Sequence, residues 1–178
     1  MLRGKGRWLT KRDETTPLLN DNKSQSYGQN DVEVTPMHHG LDDLGKATDT
    51  AYRAFLNDSI IVYFSSVDTR PFREARNKAR CYLLFDDAIH KRRMLTVNKG
   101  DAVMRYGTPG ECKALNPWRT FLEADSKIEA MLKDAFGEKV KEMYEVRTLA
   151  TAPEAQGRGY GSALVNIVTE MGDADGHD

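Results

Sequence analysis

The chain has 178 residues, 39% hydrophobic and 30% charged, with a formal net charge of −1. That is enough for one ordinary domain plus a tail, and it gives no general attraction to nucleic acid or to anionic membranes, so neither partner is implied. No apolar run approaches the ~18 residues a spanning helix needs, so a soluble, cytoplasmic protein is expected, without a membrane partner.

Residues 1–36 are polar, rich in Asn, Ser, Gln and Thr, and without sustained periodicity, which predicts a disordered tail. Arg3, Lys5, Arg7, Lys11 and Arg12 precede the first acid, Asp13; this reads as a solvated basic stretch, with a mitochondrial presequence as the alternative. Glu14 ahead of Leu18 and Leu19 resembles an acidic dileucine sorting signal, here read as chance. His38 and His39 are adjacent, but no Cys or other His stands at ligand spacing, so no metal is expected. Cys81 and Cys112, in a chain with no secretory signal, read as free thiols.

Residues 37–178 read as the folded domain. Asp42 and Asp43 favour a helix start, and Leu44, Ala47, Ala51, Ala54 and Phe55 form one apolar stripe. Ile60 to Phe64 is a short apolar run that reads as a strand or a buried crossing. From about Arg70 a second helix is expected, with Phe72, Ala75, Ala79, Tyr82, Leu83 and Ile89 inward and Arg73, Arg76, Lys78 and Arg80 on a solvated face. Met94 to Val97 and Ala102 to Tyr106 flank Asn98-Lys99-Gly100-Asp101, the composition of a hairpin turn. Trp118, in a loop punctuated by Pro109, Gly110 and Pro117, reads as packing. A third helix is expected over 124–136, with Ile128, Met131, Leu132, Ala135 and Phe136 on one side and Gly137 as terminator.

The stretch from Glu145 to Met171 is the most informative. Val146, Thr148 and Leu149 suit a strand, Pro153 ends it, and Leu164, Ile167, Val168 and Met171 recur at helical spacing. Between them lies Gln156-Gly157-Arg158-Gly159-Tyr160-Gly161. Alternate glycines let backbone approach a ligand closely, and a helix start offers unpaired N–H groups at the positive end of its dipole. Such a turn suits a phosphate or pyrophosphate, with Arg158 adding charge. A P-loop would need a lysine before Ser162, where Gly161 stands. A dinucleotide fingerprint would need G-x-G-x-x-G and an acidic residue ~20 positions on, which the chain does not supply.

Gln156, Gly159 and Gly161 match the Q/R-x-x-G-x-G/A signature of the GNAT superfamily of N-acetyltransferases. Leu149-Ala150-Thr151-Ala152-Pro153 looks like that family's fourth strand and its exit, and Gly161 to Val165 like the helix that follows. The chain thus resembles a fungal-type GNAT domain over residues 144–176. The resemblance implies an α/β acyl-CoA N-acyltransferase fold, a twisted mixed sheet with helices on both faces. It further implies acetyl-CoA as co-substrate: Leu149, Ala150 and Thr151 would bond the pantetheine arm and thioester, and Gln156, Gly157, Arg158, Gly159, Tyr160, Gly161 and Ser162 would hold the pyrophosphate. The reaction implied is direct attack of a primary amine on the thioester. A carboxylate at the start of the fourth strand often serves as base in this family, and Glu145 is the residue in that place, with Asp101 and Glu123 as weaker alternatives.

The sequence departs from the family after the cofactor helix, where a fifth strand, another helix and two more strands normally follow. The expectation is a truncated domain, incomplete at its C-terminus; the alternative is a sheet edge that a partner chain or a second copy covers. A catalytically silent coenzyme A-binding module is the alternative to an active enzyme.

Overall fold

Side chains alternate across β4, Ala102–Gly107: Ala102, Met104 and Tyr106 enter one hydrophobic core and Val103 enters another on the opposite face. The computed structural model, which describes residues 25–27, 32–110 and 119–176, is organised by that division. β1 (Gln25–Tyr27), β2 (Val32–Pro36), β3 (Met94–Val97), β4 and β5 (Glu145–Thr151) form one sheet in that spatial order. All four pairings are antiparallel.

Helices cover both faces. α1 (Leu41–Ala54) and α3 (Arg73–His90) pack on one through Leu44, Ala47, Ala51, Phe85, Ala88 and Ile89, against Met94, Val103 and Ala150. α5 (Tyr160–Ala174) packs on the other through Ala163, Leu164, Ile167 and Val168, against Val34, Leu95, Val97 and Met104. The α/β class and the two helical layers agree with expectation. The sheet, expected to be mixed, is antiparallel throughout its described strands, because each of these strands meets its neighbour in sequence order without a parallel crossover.

Three further expectations are corrected. The tail does not extend to residue 36: Val32 and Val34 alternate with Glu33 and Thr35, and β2 pairs with β3 through Val34 to Pro36, so the apolar pair is core. Residues 60–64 are neither strand nor buried. They lie in α2 (Ser59–Val67), whose N-cap Asp58 accepts hydrogen bonds from the Ile60 and Ile61 amides at 3.0 and 3.1 Å, and none of its residues is buried. In α3 the inward face lies nearer the C-terminus, at Phe85, Ala88 and Ile89, whereas Phe72, Ala75, Ala79 and Leu83 are exposed. Lys78 occupies the face turned to α1, its ammonium 4.8 Å from the centre of the Tyr52 ring and paired with Asp49. A lysine stem can cover apolar surface while its head stays wet, so the helix packs there without an apolar residue.

α4 (Arg119–Phe136) begins earlier than expected, and Ile128, Met131 and Phe136 are exposed. Gly137, with φ +60, ends it as expected. Residues 1–24, Cys112 and Trp118 lie outside the described residues, as does the side chain of Glu123. No helix among the described residues is long and apolar enough to cross a membrane.

Candidate functional site

β5 is the last strand of the sheet and pairs along one edge with β4. The chain leaves it through Pro153–Ala155, a single 3-10 turn, and then makes the glycine turn that opens α5. Gly157 and Gly159 have φ of +76 and +79, with open space where a Cβ would stand. Their role is therefore conformational: the left-handed backbone here is strained for any L side chain. Gly161 is different, since its backbone is ordinary and an added Cβ would rest 3.9 Å from Leu149.

The N-cap of α5 is Gly159, so no side chain caps the helix, and the Ala163 amide donates to the Gly159 carbonyl at 3.0 Å. By helix geometry the amides of Tyr160, Gly161 and Ser162 precede the helix's own acceptors and point out of its end. Gln156 donates its side-chain amide to the Thr151 carbonyl at 3.4 Å, and Arg158 donates to the Glu154 carbonyl at 3.2 Å. The first bond folds the turn back on the end of β5 and the second holds the Arg158 guanidinium against the 3-10 turn that follows it. The result is a row of outward amides, a helix dipole and a cation, a combination suited to an anion.

A bolt of polar contacts holds this turn in place. The Lys46 ammonium of α1 pairs with Asp101 at 2.7 Å and donates to the Asn98 carbonyl at 3.2 Å, so α1 grips the β3–β4 turn. Gly100 permits the approach: its φ is +118, and an added Cβ would lie 3.2 Å from the Ala47 backbone nitrogen. Buried Thr50 donates to the Gly100 carbonyl at 2.7 Å. The same turn reaches β5 and α5, where Asn98 donates to the Tyr160 hydroxyl at 3.2 Å and the Asp101 carbonyl accepts from the Ala152 amide at 2.8 Å. Arg53 closes the frame with two bonds to Glu154 at 3.0 and 2.9 Å. None of Lys46, Arg53 or Glu154 is marked by a motif, and Asn98 is marked only as part of a hairpin turn.

These contacts set the charge states. The Lys46 hydrogen bond, helped by Asn98 and opposed by desolvation, holds the Asp101 carboxyl below its ordinary value. A depressed carboxyl contributes stability that is present above its unfolded pKa, ~3.9, and is lost as pH falls through the lower folded value. Asp101→Asn is accordingly expected to flatten the acid limb of the stability curve relative to the parent. Urea midpoints taken from about pH 6 down to about pH 2 test this, and parallel curves for the two proteins would contradict it.

Of the residues expected to meet a cofactor, Leu149, Ala150 and Thr151 end β5, and Gln156 to Ser162 follow after the 3-10 turn Pro153–Ala155. Glu145 stands at the far end of β5. Its carboxylate accepts from Arg147 Nε at 3.1 Å, and Leu149 lies four residues along the strand, about 13 Å at ~3.3 Å per residue. Asp101, the weaker alternative, is occupied by Lys46. The basic residues of α3 are likewise engaged: Arg76 pairs with Asp68 at 2.7 Å, Lys78 with Asp49 and Glu74, and Arg73 donates to the Ser65 carbonyl. The hydrogen bonds from Arg70 and Arg76 hold the Asp68 carboxyl well below the usual carboxylate range. Cys81 is a free thiol whose pKa burial pushes up, which suits packing rather than nucleophilic chemistry.

No family model and no curated protein sequence matches the chain. Among solved structures it is similar to a crystal structure described as histone acetyltransferase HPA2 and related acetyltransferase, from Corynebacterium glutamicum. That similarity has 20% sequence identity and a TM-score of 0.44, and covers 78% of this chain and 70% of the other.

Proposed function

We propose that the chain binds acetyl-CoA at the β5–α5 junction and belongs among GNAT-type N-acetyltransferases, acting on a primary amine. The observation that carries this reading is the uncapped start of α5, with Gly157 and Gly159 in the left-handed region immediately after an edge strand. The pyrophosphate would take the amides of Tyr160, Gly161 and Ser162 with Arg158 beside it, and the pantetheine arm would lie along Leu149, Ala150 and Thr151 as an added strand. A main-chain donor there would also stabilise the oxyanion formed when the amine attacks the thioester. Glu145 is the proposed base, acting through water, and Arg147 would have to release it. A second copy or a partner chain on the rest of the β5 edge is part of the same proposal.

The engagement of Glu145 by Arg147 favours a second reading, a module that binds coenzyme A without turnover. Calorimetry with coenzyme A and thiol-release assays with acetyl-CoA over a panel of amines test both. Binding with amine-dependent thiol release supports the enzyme, and binding with no release on any amine selects the module. Folded protein that binds no coenzyme A would overturn both.

A further inference from the structure

We propose that His39, Asp86 and His90 form a site for one divalent transition-metal ion of the zinc class. Proximity along the chain argues against a third ligand for the His38-His39 pair, and the fold corrects that argument. Asp86 and His90 stand one turn apart near the end of α3, and packing of α3 against the β2–α1 connection brings His39 over them. One nitrogen of each ring and one carboxylate oxygen lie within 4.8 Å of one another, and the two ring centres are 4.0 Å apart.

Distance separates a ligand set from a hydrogen-bonded cluster. His39 Nδ1 is 3.5 Å from Asp86 Oδ1 and His90 Nδ1 is 3.6 Å from Asp86 Oδ2, both longer than the ~2.7–3.2 Å of a good N–H···O bond. The first is close to the ~3.3 Å edge of a tetrahedron whose metal–ligand bonds are about 2.0–2.1 Å. His90 Nδ1 lies 2.9 Å from the Asp86 main-chain oxygen, which can only accept, so Nδ1 carries the hydrogen and Nε2 holds the lone pair. That is the outer bond metal-ligating histidines commonly make, and it fixes the tautomer before the ion arrives. Two imidazoles and one carboxylate favour zinc, cobalt or nickel over calcium or magnesium. All three side chains are at least partly open to solvent, which leaves access for the ion and a water as fourth ligand.

The position says what the ion would do. The Met37 amide bonds the Met94 carbonyl and the Arg93 amide bonds the Ala88 carbonyl, so the cluster sits at the Met94 end of β3. The glycine turn is held at the other end, through Asn98. A metal here would clip the β2–α1 connection to α3, independently of the cofactor reading.

Titration of the full chain with zinc chloride, followed by calorimetry and thermal unfolding, is the test. One equivalent should bind and raise the melting temperature, while His39→Ala and His90→Ala should each weaken binding by about tenfold or more, since even outer-shell losses cost 10–100-fold. His38→Ala should leave the affinity unchanged. Asp86→Asn supplies an isosteric variant should an alanine variant unfold, and it should weaken binding in the same way. Unchanged affinity in the ligand variants, no zinc binding by the parent, or a thiolate-to-metal band on cobalt loading would overturn the site.

Discussion

Gly159→Asp is expected to remove coenzyme A binding while the protein stays folded. Two effects act at that position in the same direction. The residue has φ +79, which an L side chain adopts only with strain, although Asp tolerates it better than most. The larger effect is charge: a carboxylate about 4 Å from a diphosphate group costs about 4 kcal/mol at an effective dielectric of ~20, or roughly a thousandfold in affinity. Gly159→Asn separates the two, because Asn accepts the left-handed backbone and carries no charge. The Asn variant should retain most of the affinity, with the Asp variant near the limit of detection in calorimetry. Equal, undiminished affinity in both would place the diphosphate elsewhere, and equal loss in both would assign the effect to backbone strain.

What the sequence made legible follows from how local each signal is. The hairpin was readable because Asn98 and Gly100 are among the few residue types that meet a positive φ cheaply, and both take one, whereas Lys99, which takes one as well, gave no such signal. The apolar face of α5 was readable because Leu164, Ile167, Val168 and Met171 recur every three or four residues and all face the sheet. For α2 the deciding signal was present but outweighed: Asp58 before Ser59-Ile60-Ile61 is an N-cap, while the apolar run alone fits a strand equally well. Val32 and Val34 were likewise visible as a two-residue alternation inside a polar stretch. Composition averaged over 36 residues concealed them.

The frame around the candidate site was not legible, for a different reason. Arg53 and Glu154 are 101 residues apart and Asn98 and Tyr160 are 62 apart, and no spacing rule links ordinary charged or polar residues at such separations. Their meeting depends on how α1 lies across the β3–β4 turn, which in turn requires Gly100. The motif therefore supplies the amides, and residues with no motif hold those amides at a fixed place relative to β5. An anion site gains affinity from donors that are already oriented, so the frame bears on binding even though none of its members need touch the ligand.

Leu164→Ala is expected to have the largest effect on stability. Leu164 is fully buried, one turn into α5, in the cluster that includes Leu95, Val97, Met104 and Ile167. Removing it loses transfer free energy and leaves a cavity that a packed sheet cannot fill, at a cost of about 2–5 kcal/mol. At about 3 kcal/mol the melting temperature should fall by roughly 10 °C. Asn166→Ala, on the exposed side of the same helix, should shift it by little, since it opens no cavity and Ala favours a helix. Leu164 is also the buried residue one turn beyond the amides of Tyr160 to Ser162, so the cavity should let the start of α5 move against β5. Coenzyme A affinity should then weaken in Leu164→Ala even well below its melting temperature, whereas it should survive in Asn166→Ala. A Leu164→Ala protein with parental stability would mean that α5 does not pack on the sheet as described, and the outward amides would lose their place beside Leu149.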